Sequence, residues 1–459
     1  MQSQELSVVS TGKVRSTKKT AFRNLRSLVV VRIINYLLPL VVMPIIVRII
    51  GPKNFGIINY ASTIVAYFVL LIRFNFELSA VRLITPNINN PRKVNLIFSQ
   101  VFFSKIILFF VSLVLFGGLI FFLKTLKENI LVAIFTFLLC IGNIFDSNWF
   151  FTAKQELHRL AIFNLIAKIL LNIGFLCFIK NQADYIYHPL LVSLSKILVM
   201  GAAFFWVINH YNIKIHFPGV KSLSGMIWGN KTLFFHSFSY SIYTTLNIVV
   251  LGLVATPLDV GLYTAGWKLI LVIQALLISP LGVVLFPIIG EKFDQKKENG
   301  IAVIQKIIPI ILVITFLIGV GILIFGGIAI TLFYGSDFYK AIGSFRLLSF
   351  VPMVVALNML LGIQTMVNLK MDKKFFIITL CAACLSFVFN FIFISFWSAS
   401  GAAVSWFLTE LFCTITMYIV LLKNDIQLLK YEYFKLSTMV TYYKAAKLKI
   451  KEKIKRGLT

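Results

Sequence analysis

The chain has 459 residues, of which 59% are hydrophobic and 13% charged, with a formal net charge of +28. An ordinary soluble domain carries about 25% charged residues. With a mean hydropathy of +0.92, the balance excludes a soluble globular enzyme, a disordered chain and a collagen-like or coiled-coil rod, and it leaves an all-α polytopic membrane protein.

In chain order, residues 1–26 form a basic segment with Lys13, Arg15, Lys18, Lys19, Arg23 and Arg26. The apolar run that follows is too long for a signal-peptide core and lacks a small-residue cleavage site, so it reads as an uncleaved first span. A spanning helix takes roughly 20 apolar residues. On that measure the sequence predicts about twelve spans, at 27–50, 57–80, 96–122, 129–151, 159–180, 186–209, 232–254, 259–289, 301–326, 341–367, 374–396 and 401–422. The longest internal break, with Pro218 and Gly219, divides them into an N-terminal six-helix bundle (27–210), a cytoplasmic linker (211–231) and a C-terminal six-helix bundle (232–422). Residues 423–459 are a basic tail suited to an amphipathic helix on the membrane surface.

Lys and Arg crowd the loops on one side of this arrangement. The other side holds only Lys53, Lys124, Lys127, Lys180 and Lys340. The positive-inside rule then puts both termini in the cytoplasm, with an even number of spans. Basic loops between apolar runs suit orientation in the bilayer and anionic membrane lipid rather than nucleic acid. All loops are short, so no large extracytoplasmic catalytic domain is expected. No GxxxxGK[ST] motif for ATP hydrolysis occurs. Cys140, Cys177, Cys381, Cys384 and Cys413 lie inside apolar runs, and Cys381-Ala-Ala-Cys384 lacks the strand–helix context of a redox motif. The five histidines form no ligand cluster, and no cofactor or metal is expected. An internal likeness crosses the linker: Phe55-Gly56-Ile57 opens span two as Val260-Gly261-Leu262 opens span eight, and Lys154-x-Glu156 follows span four as Lys370-x-Asp372 follows span ten. Corresponding helices run in the same direction, as in a parallel repeat about an axis along the membrane normal.

Charges inside the spans are costly and therefore informative. Lys105, Lys168, Lys196 and Lys268 fall near the bilayer midplane, at about 10–14 kcal/mol together on insertion scales. Arg32, Arg48, Arg73 and Arg346 lie nearer an interface, within snorkelling reach. The intramembrane acids are only Glu77, Asp146 and Glu410, too few to neutralise the base. A water-filled cavity with surplus positive charge would attract an anion. Polar stripes fit its walls: Asn164, Lys168 and Asn172 in span five; His236, Ser239, Tyr240, Tyr243 and Asn247 in span seven; Gly261, Thr264, Lys268, Ala275 and Ser279 in span eight. Ser193 and Lys196, and likewise Glu410 and Thr414, share a helix face. Structural readings stand beside these. The lysines would then pair with Asp146, Glu410 or carbonyls, and the stripes would glue helices together.

Several segments in order resemble the polysaccharide-transport branch of the MOP flippase superfamily, the Wzx-type O-antigen flippases. They are Pro39 and Pro44 running into Ile50-Gly51-Pro52-Lys53-Asn54-Phe55-Gly56, then Phe76-Glu77-Leu78-Ser79-Ala80-Val81-Arg82, then Asn148-Trp149-Phe150-Phe151 with Ile162-Phe163-Asn164. Val260-Gly261-Leu262-Tyr263-Thr264-Ala265 and Phe333-Tyr334-Gly335-Ser336-Asp337-Phe338 complete the set. The family often has Gly where Asn75 stands, and Gln-Gly where Thr152-Ala153 stand. The resemblance implies a carrier of undecaprenyl-pyrophosphate-linked oligosaccharide across the bacterial inner membrane. It implies alternating access of two bundles, coupling to a proton or sodium gradient, and work beside polysaccharide polymerase and chain-length proteins. Arg32, Arg73 and Lys268 match the family's basic positions. Asp146 and Glu410 are the candidate coupling sites. A cation-coupled multidrug exporter would want acids in the cavity, the opposite of what is present, and a polysaccharide polymerase commonly carries a large outer loop that is lacking here.

Overall fold

A computed structural model describes the backbone of residues 18–434, and the side chains of 42–434 except those of Leu157, Leu160, His236 and Tyr240. The basic N-terminal segment through Lys13 and Arg15, most of the C-terminal tail, and the side chain of Arg32 lie outside that range. All the described secondary structure is helical. Ten described stretches are long and apolar enough to cross a membrane.

One of these stretches holds more than one crossing. The helix Asp372–Leu422 has 51 residues, about 77 Å if straight, against a hydrocarbon core of about 30 Å. It doubles back at Ser398, whose φ of 45° is left-handed. A Cβ on Gly401 would stand 2.0 Å from the Phe393 carbonyl, so the two arms of this hairpin meet where only glycine fits. Lys18–Arg73 is broken in the same way at Gly51, with φ 74°. Both breaks fall at the loops expected between spans one and two and between spans eleven and twelve. The helix Val220–Val254 starts inside the stretch expected to be linker, so only the residues just before it run extended between the halves.

Loop chemistry recurs across the two halves. Gln155 and Lys370 each adopt a left-handed conformation after a helix, and the next residue donates five residues back, Glu156 N–H to the Phe151 carbonyl and Met371 N–H to the Met366 carbonyl. This is the Schellman arrangement that closes a helix end. Asn75 also sits at left-handed φ, 54°, between Lys18–Arg73 and Phe76–Ile84. Asn tolerates that region as Gly does, which accounts for its standing where the family often has Gly.

Three apolar cores hold the helices. One joins residues of both halves, among them Ile50, Phe55, Val260, Tyr263, Tyr334 and Ala402. A second collects N-terminal residues such as Phe76, Ile84, Trp149 and Phe204, with Met226 and Phe234 from the start of Val220–Val254. A third is built from C-terminal residues alone, such as Ile289, Ile304, Met366 and Leu421. The halves therefore share one core at the end bearing the loops at Gly51, Thr256, Gly335 and Ser398. Toward the basic-loop end the third core is C-terminal alone, while the second still bridges the halves: Phe74 stacks on Phe234 with centroids 4.3 Å apart, and Asn75 donates to the Leu233 carbonyl and the Ser237 hydroxyl.

Candidate functional site

At the shared end the halves touch backbone to backbone. A Cβ on Gly56 would lie 1.7 Å from the Pro257 carbonyl, and one on Gly261 would lie 1.9 Å from the Pro52 carbonyl. The contact is reciprocal, so the likeness of Phe55-Gly56-Ile57 to Val260-Gly261-Leu262 marks a local two-fold relation between the halves. Gly252 meets the Tyr60 ring equally tightly, at 2.1 Å from its built Cβ. The Arg48 guanidinium donates to the carbonyls of Thr331 and Leu332, the last turn of Lys297–Tyr334. Arginine there satisfies orphan carbonyls and meets the negative end of the helix dipole. Arg48 is thus a tie between halves rather than only a lipid-facing anchor.

Two of the midplane lysines and one carboxylate converge in the N-terminal half. The helix Leu139–Ile144 ends before Asp146, and Asn148–Ala153 starts just after it. This break exposes both the carboxylate and the backbone carbonyl of Asp146. Lys196 Nζ stands 2.9 Å from Asp146 Oδ2, Lys105 Nζ donates to the Asp146 carbonyl at 2.8 Å, and the Asn148 N–H donates to Oδ1 at 3.1 Å. Gly142 lets Lys196 pass, since a Cβ there would meet its Cγ at 2.8 Å. Lys105 is 1% exposed, so it braces the protein interior and does not face an open cavity. The void beside it, lined by Phe98, Lys105, Asp146, Trp149 and Phe204, is about 10 Å³, room for at most one water and none for a sugar. Arg73 pairs with Glu77 through two contacts, at 2.8 and 2.5 Å.

Lys268 differs. Its Nζ lies 4.7 Å from the centroid of the Phe55 ring, and among the described residues no carboxylate oxygen approaches within 4.0 Å. The stripe that leads to it is not open: Thr264 is fully buried, and Gly261 is the crossing point already described. Asn247 is also buried, donating to the Tyr263 hydroxyl at 3.0 Å and the Ala402 carbonyl at 3.2 Å, and accepting from Asn390 at 2.9 Å. Asn172 is buried and donates to the Lys168 carbonyl. Asn247 ties helices together in this conformation, and Asn172 and Thr264 are packed away, where the stripes had suggested a wet wall. Lys168, Asn164 and Tyr243 are half-buried, and the side chain of Tyr240 lies outside those described.

Glu410 has no cation within 4.0 Å among the described residues. Neutral donors hold it: Asn358 Nδ2 at 2.6 Å and Trp406 Nε1 at 3.1 Å. The Thr414 hydroxyl donates to Asn358 Oδ1 at 2.7 Å and fixes that amide. Asn358 stands at the junction with the π-helical segment Met359–Val367, a backbone form that concentrates at functional sites. Trp406 lies one helical turn before Glu410 and was legible by spacing. Asn358, Phe55 and the capping role of Arg48 had no signal in a single sequence.

The sequence profile described as "Polysaccharide biosynthesis protein" matches residues 21–293, more than half of the chain. The chain belongs to the polysaccharide biosynthesis protein family. Two relatives share the name "Putative O-antigen transporter". The one from Escherichia coli (strain K12) is 23% identical over 414 residues, 90% of this chain and 99% of the relative. The one from Shigella dysenteriae is 22% identical over 401 residues, 86% and 98%. Solved structures share the fold of this family member. The lipid II flippase MurJ in an inward closed conformation aligns with TM-score 0.69 over 88% of both chains at 13% identity. An inward-facing multidrug resistance MATE family transporter of the MOP superfamily aligns with TM-score 0.68 over 88% of this chain and 98% of its own at 12% identity. The chain is accordingly a multi-pass membrane protein, all-α in its described residues, with the fold of those two structures. Apolar spanning helices place it in the bacterial inner membrane, since the outer membrane is crossed by barrels. Both relatives are named as transporters.

Proposed function

We propose that the protein is a flippase that moves undecaprenyl-pyrophosphate-linked oligosaccharide from the cytoplasmic to the outer face of the inner membrane by alternating access. The observation that carries this reading is the charge imbalance near the midplane. Lys105 and Lys196 draw on one Asp146, and Lys268 has no carboxylate within 4.0 Å among the described residues. Charge-assisted contacts from Lys and Arg are the strong way to hold a pyrophosphate. The basic loops, which the positive-inside rule assigns to the cytoplasm, lie at the end opposite the Gly56/Gly261 crossing. The relatives' names support an O-antigen-type glycan. Lys268, Lys168 and Lys196, with Arg32 and Arg73, would draw the anionic head toward the midplane, while the polyprenyl tail stays in lipid. Glu410, with no counter-cation within 4.0 Å among the described residues, is a better coupling site for a proton or sodium ion than Asp146, which two ammonium groups already occupy.

The test is transbilayer movement in vesicles. Purified protein, reconstituted with a fluorescent undecaprenyl-pyrophosphate-linked oligosaccharide, should render the inner-leaflet pool accessible to an external glycosidase. A neutral lipid-linked glycan lacking the pyrophosphate should stay protected. Equal movement of both substrates would reject the anionic-head reading.

A further inference from the structure

The ammonium of Lys268 lies beneath the most tightly packed contact between the halves. Its helix, Pro257–Ile273, begins at the Gly56/Gly261 crossing, and its charge sits over Phe55. Phe55 is 3% exposed and belongs to the opposite half. That ring is wedged edge-on against Phe338, centroids 5.9 Å apart at 75°, and lies 6.1 Å from Tyr334. One C-terminal cation therefore rests on an N-terminal ring that is itself locked into the C-terminal loop. The local two-fold does not repeat the device. The residues matching Phe55 and Lys268 through the glycine pair are Val260 and Thr63, which supply neither ring nor cation.

A lysine over a phenyl face is held by the ring quadrupole alone. An anion with two charges outcompetes that, because charge-assisted contacts are stronger. We propose that Lys268 and Phe55 form an anion-released latch on the closed end. A pyrophosphate-bearing ligand arriving from the basic-loop side draws the ammonium off the ring, and the halves are then free to part at Gly56/Gly261. Empty carrier stays closed at that end, and arrival of the anion is itself the signal to open. The identity of the anion rests on the proposed flippase function; the latch does not.

The test is an electron-electron distance measurement on full-length protein in nanodiscs. Spin labels go at Lys53 and Ser336, exposed residues of the closed end in opposite halves. Exposed Cys177, Cys381 and Cys384 are replaced by alanine to keep labelling specific. Without any anion, Lys268→Met should raise the long-distance population about 2- to 30-fold, the range a cation–π contact supports, and Lys268→Arg should keep it at the wild-type level. Phe55→Leu should behave as Lys268→Met; because Phe55 is buried and its loss disturbs packing, the Lys268 pair decides if that variant does not fold. Inorganic pyrophosphate should raise the long-distance population of wild type and leave Lys268→Met unchanged. Wild-type distances in Lys268→Met without anion would overturn the latch. Pyrophosphate that binds wild type in a separate calorimetric titration yet leaves its distances unmoved would overturn the release step. Pyrophosphate that fails to bind wild type would overturn the release step together with the anionic-head reading, and the anion-free variants would still decide the latch.

Discussion

Gly56 and Gly261 make a reciprocal contact in which each α-carbon takes the space beside the other half's proline carbonyl. A methyl group at either glycine cannot be absorbed by side-chain movement, because the opposing atoms are backbone. Overpacking of this kind costs about 1–3 kcal/mol and sometimes more. Gly261→Ala should therefore disfavour the closed end by roughly 5- to 150-fold while each half still folds. Thr264→Cys, buried in the closed form, would then gain reactivity toward a water-soluble maleimide. Unchanged protection of position 264 in Gly261→Ala would show that the crossing can relax.

Asp146 serves two ammonium groups, so removing it should cost more than removing either lysine. Breaking a buried pair by deleting one partner typically costs about 3–5 kcal/mol because a buried charge is left uncompensated. Asp146→Ala should lower the thermal midpoint and folded yield in detergent sharply. Lys196→Met combined with Asp146→Asn should recover part of the loss, since less charge is then stranded. A double-variant loss equal to the sum of the separate losses of Lys196→Met and Asp146→Asn would mean that the groups are not coupled.

For Glu410, replacement by glutamine keeps one acceptor and turns the other toward donors from Asn358 or Trp406, at a cost of about 1–3 kcal/mol. The protein should still fold. We predict that Glu410→Gln abolishes accumulation of substrate driven by an imposed proton or sodium gradient, while downhill exchange persists. Gradient-driven accumulation at the wild-type rate would remove Glu410 from coupling. Asp146→Asn, stabilised by a second-site change, should retain gradient dependence.

Arg48 should matter modestly. A cationic helix cap contributes about 0.3–1 kcal/mol when exposed, so Arg48→Ala should open the closed end about 2- to 5-fold without changing surface polysaccharide by more than a similar factor. A complete loss of surface polysaccharide would indicate a role beyond the cap.

The physics of membrane insertion made much of this fold readable in advance. Backbone groups in lipid must be satisfied internally, so apolar runs of the right length must be helices, and short loops leave few ways to arrange them. The breaks at Gly51 and Ser398, and the glycines that pack Gly56 against Gly261, follow the same logic. The site was less legible. Depth along a helix follows from counting residues, but the direction a side chain faces depends on which neighbour covers it. That is why Lys105, Thr264 and Asn247 read as cavity wall and are found buried. Small and hydroxyl residues line pores and glue helices alike, and periodicity does not separate the two uses. Phe55 is one of 45 phenylalanines, and only the packing of Phe338 and Tyr334 around it singles it out.

Lys168→Ala and Lys268→Ala should each abolish surface polysaccharide at unchanged protein level, if these cations carry the anionic head rather than the fold. Lys105→Met, in contrast, should act mainly through stability, because that ammonium is spent on the Asp146 carbonyl.

The most direct test of surplus cationic charge is equilibrium binding of an undecaprenyl-pyrophosphate-linked oligosaccharide to folded wild type and Lys268→Gln in nanodiscs of neutral lipid. A hydrogen bond to a charged group contributes about 1.5–3 kcal/mol, so the variant should bind roughly 10- to 150-fold more weakly, with a shallower dependence on salt. Equal affinity and equal salt dependence in the two proteins would contradict the account.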